Sequence, residues 1–444
     1  MTLNMPPKVK RIIETLEEAG YEAYVVGGCV RDSILNRTPD DWDITTSALP
    51  AEVKSLFHAT IDTGLQHGTV SVLMDKETFE VTTYRIDGEY EDGRHPKEVT
   101  FTPSLEEDLK RRDFTINAMA YNDKVGLVDL FDGMGDITRR IIRAVGDPDK
   151  RFEEDALRVM RAVRFSAQLG YEIEDKTAEA IVRHAENLKK VSAERIQVEL
   201  IKLLVSDHPD YIKKAYDLGI TKIILPEFNK AMDSDQNNPH HRFSVGEHTI
   251  ETLKHVRADK ILRLTMLFHD LSKPDVKTTD ENGIDHFWGH QKHGAEKARE
   301  VLKRLRFDND TIRDVGKLVE FHDYGLDVTP TETIVRRAIN KIGEGLFPLF
   351  LEVRRADMRG QSDYQREEKE EQLNSWNRIY DKIVREGQCV SLKTLDITGR
   401  DIMALKPDIK GPQIGETLNA LLNEVLENPD LNKKELLLER AKEL

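Results

Sequence analysis

The stretch Tyr24-Val25-Val26-Gly27-Gly28-Cys29-Val30-Arg31-Asp32, followed shortly by Asp41-Trp42-Asp43-Ile44, decides the fold of the N-terminal part of this chain. Tyr24 to Val26 reads as a short buried strand, the glycine pair as a tight turn, and Val30 to Leu35 as the start of a helix. Backbone N–H groups at such a helix start, with Arg31 beside them, make a cradle for phosphate. Trp42-Asp43-Ile44 reads as a second strand, and side chains two residues apart in a strand share a face, so Asp41 and Asp43 point the same way. Paired carboxylates take hard cations such as Mg²⁺, and a metal clamp on a triphosphate supports in-line attack. A glycine pair or a spaced aspartate pair alone is common in long chains. Together, in strand-turn-helix-strand order, they point to nucleotidyl transfer.

Composition permits this. A chain of 444 residues, 39% hydrophobic and 33% charged, folds as roughly two to four domains. No apolar run approaches the roughly 18 residues of a membrane span, and the first twenty residues read as an amphipathic helix rather than a signal peptide. Two cysteines, Cys29 and Cys389, exclude a disulfide scaffold and favour a cytoplasmic location. The net charge of −15 does not exclude a nucleic-acid partner, because it is unevenly spread. Between Asp108 and Lys202 acids and bases balance, and the bases cluster as Arg111-Arg112, Arg139-Arg140-Arg143, Arg158/Arg161/Arg164 and Lys189-Lys190. Such clusters are more often solvated faces than binding surfaces.

The pattern predicts an α+β chain: a small mixed-sheet head over residues 1–150 and an all-α remainder. Strand-like runs at Thr69–Met74, Phe79–Tyr84, Gly126–Leu130 and Ile141–Val145 mix with short helices in the head. A helical neck over 151–232 begins with a strong helix, Glu153–Leu169, and the polar stretch from Asp233 marks a boundary. Histidine-bearing helices and a charged helix, Gln361–Glu386, fill 233–386, and a helical tail occupies 387–444.

Within the neck helix, Asp155, Arg158, Arg161 and Arg164 recur every third residue, a slowly drifting stripe on one face. A carboxylate and a guanidinium on one rigid face match the donor and acceptor edge of a base, and further arginines suit a triphosphate. The plainer reading is a salt-bridged surface helix. Arg111-Arg112-Asp113-Phe114-Thr115-Ile116-Asn117 adds paired arginines from the head.

GGCVRD, the DWD pair, TGLQHGTV, RRDFTINAMAY, DLFDGMGDITRRIIR and EDALRVMRAVRF, in this order, resemble the class II tRNA nucleotidyltransferases, the CCA-adding enzymes. The resemblance is specific from about Tyr21 to Arg195 and weaker in the tail. It implies a head, neck, body and tail that clamp the acceptor end of tRNA and add C, C and A without a nucleic-acid template. It further implies that Gly28 and Arg31 contact the triphosphate and that Asp41 and Asp43 hold Mg²⁺. Arg112, Asp155, Arg158, Arg161 and Arg164 would bind incoming CTP or ATP, with Asp155 and Arg158 reading the Watson–Crick edge. Glu80 is a candidate third carboxylate near the 3′-hydroxyl.

Relatives of this kind divide the reaction. Those adding only CC lack a loop between the aspartate pair and the RRD motif, and here Tyr84 to Pro96 supplies one, which favours complete CCA addition. Addition of A alone remains an alternative. Poly(A) polymerases share the core but carry a basic-Phe stretch where this chain has Ala59 to Thr69.

A separate signal lies in the helical region. His248, His269-Asp270 and Asp357 follow the order of the HD-domain phosphohydrolases, with His290, His293 and His322 between them. Imidazole with carboxylate suits a second divalent metal that directs water at a phosphoester. Isolated histidines on apolar helices are usually core residues. The HD-type phosphohydrolase, acting on RNA ends or nucleotides, is therefore the second functional class.

Overall fold

Short strands build the head, among them β1 (Ala23–Val26), β2 (Ile44–Thr46), β3 (Thr60–Gly64), β4 (Thr69–Met74), β5 (Glu77–Thr83), β6 (Arg85–Asp87), β7 (Val99–Phe101), β8 (Met119–Asn122) and β9 (Gly126–Asp129). The computed structural model describes residues 2–88, 99–237, 243–326 and 328–444. Seven strands form one mixed sheet in the order β3-β4-β5-β2-β1-β8-β9, with β2 parallel to β5 and its other neighbours antiparallel. The hairpin β6–β7 stands apart. The loop expected between Tyr84 and Pro96 falls largely outside the described residues.

β1 is buried along its whole length, as four apolar residues at the sheet centre require. β2 begins at Ile44, two residues later than the sequence suggests. Ile44, Thr45 and Thr46 are all buried, whereas Asp40 and Asp41 are exposed, because adjacent carboxylates cannot be threaded through a central strand. The Asp43 carbonyl still accepts from the Val26 N–H at 3.0 Å, so the chain stays extended there. Tyr24, Val26, Tyr84, Leu109 and Ala120 form a small core behind the sheet.

The neck helix differs from its expectation. In place of one helix Glu153–Leu169 there are two, Pro148–Glu154 and Leu157–Leu169. Asp155 breaks them with φ −141° and ψ 104°, and its carboxylate takes the Leu157 N–H at 3.0 Å. That bond to a helix-start N–H is one Asp forms readily, in competition with helix continuation. The strand expected at Ile141–Val145 is reduced to Ile141–Ile142, paired in parallel with Glu172–Ile173.

The chain forms two compact units, Met1–Pro226 and Glu227–Leu444. Among the described residues the second is helical apart from one two-residue strand pair, Thr278–Thr279 with Asp285–His286. Its helices include Val245–Leu253, Lys260–Phe268, His290–Arg304, Asn309–Phe321, Glu332–Ile342 and Phe347–Gly360. Trp376 on the charged helix Arg366–Arg385 packs with Phe347, Phe350 and Leu318. The tail has its own core of Ile402, Leu421, Val425 and Leu437. Arg336, buried on Glu332–Ile342, donates to the Leu426 carbonyl at 2.8 Å and the Glu427 carbonyl at 3.2 Å, where the tail helix Gly411–Glu427 ends. Among the described residues no helix is long and apolar enough to cross a membrane.

Candidate active site and a histidine-rich centre

Asp41, Asp43 and Glu80 line one cleft of about 840 Å³, together with Asp40, Trp42, Thr63 and Ser71. The sheet explains this. Ile44 of β2 pairs with Val81 of β5, so the residue before each, Asp43 and Glu80, leave the central pair side by side. Loss of water raises the Asp43 pKa, with Arg112 opposing and Asp41 adding to the rise. Glu80 is raised by burial first and then by Asp43 and Asp41. Three carboxylates in one cleft, offering only oxygen donors and with Asp43 and Glu80 both raised, fit a hard divalent cation.

The turn beside them is closely packed. Gly27 has φ +83°, and a Cβ there would stand 3.3 Å from Arg112 Nη1, so glycine serves both the turn and the approach of the guanidinium. Gly28 opens the helix Gly28–Ile34. Arg31 on that helix donates from Nε and Nη2 to Asp32 at 2.9 Å and from Nη1 to Asn117 Oδ1 at 2.6 Å, and lies 5.0 Å from the Phe165 ring centre. Arg112 donates to Asp108 Oδ2 at 3.2 Å, while its Nε is buried with no hydrogen-bond partner among the described residues. An unused cationic donor beside a glycine turn suits an anion.

The arginine stripe is realised, but Asp155 is not on it. Asp155 sits in the break between helices, where Arg195 donates to its Oδ2 at 2.7 Å. Arg158 is bound to Glu154 Oε2 at 2.6 Å and to the carbonyls of Arg151 and Arg111 at 3.2 and 3.0 Å. Arg161 donates to Asp113 Oδ2 at 2.8 Å, and Arg164 to Glu199 Oε2 at 2.8 Å. Arg164 also stacks 3.6 Å above the Phe165 ring centre. Burial would raise the Asp113 pKa, but Arg161 and Arg158 hold it far below the usual carboxylate range.

Sequence reasoning missed Asp113, Glu154, Arg195 and Glu199, the partners that fix each stripe residue. Asp113 and Glu154 stand inside the quoted motifs. Glu199 is a carboxylate on the buried side of helix Ala193–Leu204, and an acid at an apolar position was the signal available.

In the second unit His248, His269, Asp270 and Asp357 converge, with ligand atoms all within 4.8 Å of one another. His248 comes from Val245–Leu253, His269 and Asp270 follow Lys260–Phe268, and Asp357 lies on Phe347–Gly360. All four are buried. His248 Nε2 lies 2.9 Å from Asp357 Oδ1 and 3.2 Å from His269 Nε2. A side chain at Gly360 would crowd the His248 ring at 3.2 Å, and the carbonyl there instead faces His248 Nδ1. Burial works against protonation of His269, but Asp270 and Asp357 prevail and push its pKa up to about 10. The same carboxylates are held well below their usual range despite burial. A pocket so hungry for positive charge fits a divalent cation. His290 and His322 belong to the same neighbourhood, sharing Asp270. His293, by contrast, is not part of either cluster.

Comparison with known families matches residues 23–143 to the Poly A polymerase head domain, 170–232 to the RNA and SrmB-binding site of polymerase A, and 278–441 to tRNA nucleotidyltransferase domain 2. Over 434 residues the chain is 34% identical to the CCA-adding enzyme of Enterococcus faecalis, covering 97% of this chain and 94% of that one. The chain belongs to the class II CCA-adding enzymes. The solved CCA-adding enzyme of Bacillus stearothermophilus in complex with CTP aligns with a TM-score of 0.74 and 30% identity, over 99% of this chain and 98% of that one. The CCA-adding enzyme of Lactobacillus helveticus is 49% identical over 248 residues, which are 55% of this chain and 61% of the relative. That of Lactobacillus delbrueckii subsp. bulgaricus is 57% identical over 192 residues, 48% of its length. The match thus spans about half to three-fifths of these two curated relatives, and nearly all of the Enterococcus one.

Proposed function

We propose that this chain completes the 3′ end of tRNA by adding C, C and A from CTP and ATP, using Mg²⁺ in the head. The observation that carries this reading is the meeting of Asp41, Asp43 and Glu80 in one cleft at the central strand pair, beside the glycine turn and Arg112. The tRNA 3′-oxygen bonds to the α-phosphorus of the nucleotide, the bond from that phosphorus to the bridging oxygen breaks, and pyrophosphate leaves. Glu80, with its raised pKa, is suited to accept the hydroxyl proton. Asp41 and Asp43 would hold Mg²⁺, which when bound offsets the charge of the triphosphate and of the reacting oxygens. Gly28, Arg31 and the unused Nε of Arg112 face the phosphates. Asp155 and Arg158 read the base edge after exchanging Arg195 and Glu154 for it. Arg161 and Arg164 complete the nucleotide-binding face. We assign residues 1–150 to catalysis, 151–232 to the neck and RNA contact, 233–386 to the HD-type body and 387–444 to the tail. A cytoplasmic location agrees with two buried free thiols and with these substrates.

Incubation with tRNA lacking its CCA end and each labelled nucleotide separately tests the reading. Incorporation from both CTP and ATP, ending after one A, supports it. Incorporation of A alone on tRNA already ending in CC would replace it with A-only addition, and a long A run with poly(A) synthesis.

A second activity is favoured by the converged cluster in the other unit: metal-dependent hydrolysis of phosphomonoesters or 2′,3′-cyclic phosphates at His248, His269, Asp270 and Asp357. Release of inorganic phosphate from a nucleoside monophosphate, abolished by chelator and restored by divalent metal, is the corresponding assay.

A further inference from the structure

We infer that the buried Asp108 is a positioning residue for nucleotidyl transfer: one of its carboxylate oxygens aims the arginine that faces the phosphates, and the other steadies the arginine that reads the base. This rests on the proposed roles of Arg112 and Arg158 and extends them to the group that holds both.

Asp108 stands on helix Leu105–Lys110, where Glu106 is exposed while Asp108 and Leu109 form the buried side. An acid in such a place is costly unless its charge is paired. Burial would raise its pKa, but Arg112 and Arg111 hold it below the usual carboxylate range. Both guanidiniums turn to this one carboxylate, although consecutive residues at a helix end point about 100° apart. Drawing two like charges onto one acid is a poor arrangement for stability alone. It is a good one for fixing two directions at once.

Oδ2 serves the phosphate side. It accepts from Arg112 Nη2 at 3.2 Å and from Thr45 Oγ1 at 3.2 Å. Thr45 lies two residues beyond Asp43 along one extended segment, so the two side chains leave the same face. A single oxygen thereby ties Arg112 to the segment that carries the metal-holding carboxylate. With Nη2 anchored there, Nη1 lies against the glycine turn, 3.3 Å from where a Cβ on Gly27 would stand. Nε is left buried with no hydrogen-bond partner among the described residues. The guanidinium is thus fixed at two corners and open at the third, and a donor aimed before the triphosphate arrives needs no reorganisation in the transition state.

Oδ1 serves the base side. It accepts from Arg111 Nη2 at 2.8 Å and from Arg111 Nε at 3.1 Å, a forked grip on one oxygen. Arg111 caps the C-terminal end of the helix, and its carbonyl accepts from Arg158 Nη2 at 3.0 Å. Holding the Arg111 side chain restrains the direction of that carbonyl. Arg111 Nη1 also lies 3.7 Å from Asp87 Oδ2, so this cation keeps a carboxylate when Asp108 is lost. What Asp108 adds at Arg111 is direction.

The test is kinetic and uses the full chain. Asp108→Asn keeps the shape and replaces one accepting oxygen by an amide. It should lower kcat/KM for CTP and ATP by roughly 10- to 100-fold, leave the KM for tRNA unchanged and weaken discrimination against UTP and GTP. The deciding measurement is the cycle with the arginines, because residues that act through one another give non-additive losses and independent ones multiply. In an Arg112→Ala background Asp108→Asn should cost less than about threefold further in kcat/KM, and in an Arg158→Ala background no further discrimination. Losses that multiply in full in either background overturn the inference and leave Asp108 a support of the fold. An Arg112→Ala chain with undiminished kcat/KM overturns the reading beneath it as well. If the Asn variant melts early, Thr45→Val decides, since it removes only a hydroxyl from Oδ2. A severalfold loss of kcat/KM that vanishes in the Arg112→Ala background is expected, and no loss in the parent, or equal loss in both, overturns the inference.

Discussion

Arg195 donates to Asp155 across the helix break at 2.7 Å, so the carboxylate assigned to reading a base edge is already oriented by a guanidinium from another helix. On the proposed reading, base recognition exchanges one partner for another. Removing Arg195 leaves the Asp155 carboxylate with the Leu157 N–H as its hydrogen-bond partner among the described residues. Hydrogen bonds to charged groups contribute about 1.5–3 kcal/mol. Arg195→Ala should lower discrimination of CTP and ATP against UTP and GTP by roughly 10-fold or more, with the KM for tRNA little changed. Competition assays with all four nucleotides measure this, and unaltered selectivity would remove Arg195 and Asp155 from base reading.

Arg158→Ala should also damage nucleotide choice more than tRNA binding, because phosphate-backbone contacts carry no sequence information and base-edge contacts do. A selectivity profile unchanged from the parent counts against it. The side chain also ties Glu154 to the Arg111 carbonyl, so a melting curve must accompany the kinetics.

Asp43→Asn should reduce incorporation of both C and A by roughly 100- to 1000-fold, the order seen when a group central to charge stabilisation is lost. Its effect on stability has the opposite sense. The Asp43 pKa is raised in the folded protein, chiefly by burial, so the stability this carboxyl lends is present below its unfolded pKa and lost as pH rises through the folded value. In metal-free buffer at neutral pH the variant should melt no lower than the parent, and any gain should fade as pH falls below the ordinary carboxylate range. A marked loss of Tm at neutral pH would mean that Asp43 supports the fold.

Asp113→Ala should behave in the reverse way. Asp113 is buried and pairs with Arg161 at 2.6 Å, so its removal strands a guanidinium whose other carboxylate, Glu199, is 4.0 Å away. Breaking one partner of a fully buried pair costs about 3–5 kcal/mol, and water reaching the Arg161 side chain, 33% exposed, offsets part of that here. Tm should fall by several degrees, and a change within error would place Arg161 in solvent-like surroundings.

His269→Ala/Asp270→Ala should abolish metal-dependent phosphate release and leave nucleotide addition intact, because the head carboxylates lie in the other compact unit. Loss of both activities, with the melting curve preserved, would join the two sites functionally. Trp288, 80% exposed and stacked on His286 with rings 5.7 Å apart and 8° from parallel, stands two residues before His290. Stacking of a base on an aromatic ring contributes about 1–3 kcal/mol. Trp288→Ala should raise the KM for nucleoside monophosphates severalfold and leave that for p-nitrophenyl phosphate unchanged; equal effects on both would exclude stacking.

The head was legible because its signals are local. A strand, a glycine turn and a helix occupy consecutive residues, and the strand-forming run Thr69 to Met74 coincides with β4. The helix break at Asp155 was not legible, since the stride of three from Asp155 to Arg164 reads as unbroken helix. The competing bond of the Asp155 side chain to Leu157 depends on a carboxylate that Arg195, forty residues on, pulls out of the helical path. The first four residues of the histidine centre were legible as an ordered set. His290 and His322 carried the same chemistry in sequence, but only packing shows that they face the second oxygen of Asp270.

Arg336 gives the tail a significance beyond its own small core. Its guanidinium lies where the helix Gly411–Glu427 exposes its final carbonyls, and so it serves as that helix's C-terminal counter-charge from outside the tail. A chain cut after Glu386 would leave that cation buried with Glu332 at 3.7 Å and the Thr333 hydroxyl at 3.1 Å. Truncation therefore injures the body as well as removing an appendage. Any displacement of the tail is therefore felt by helix Glu332–Ile342, which meets it through Arg336, through Arg337 paired with Glu427, and through Asn340 donating to the Val390 carbonyl at 2.9 Å.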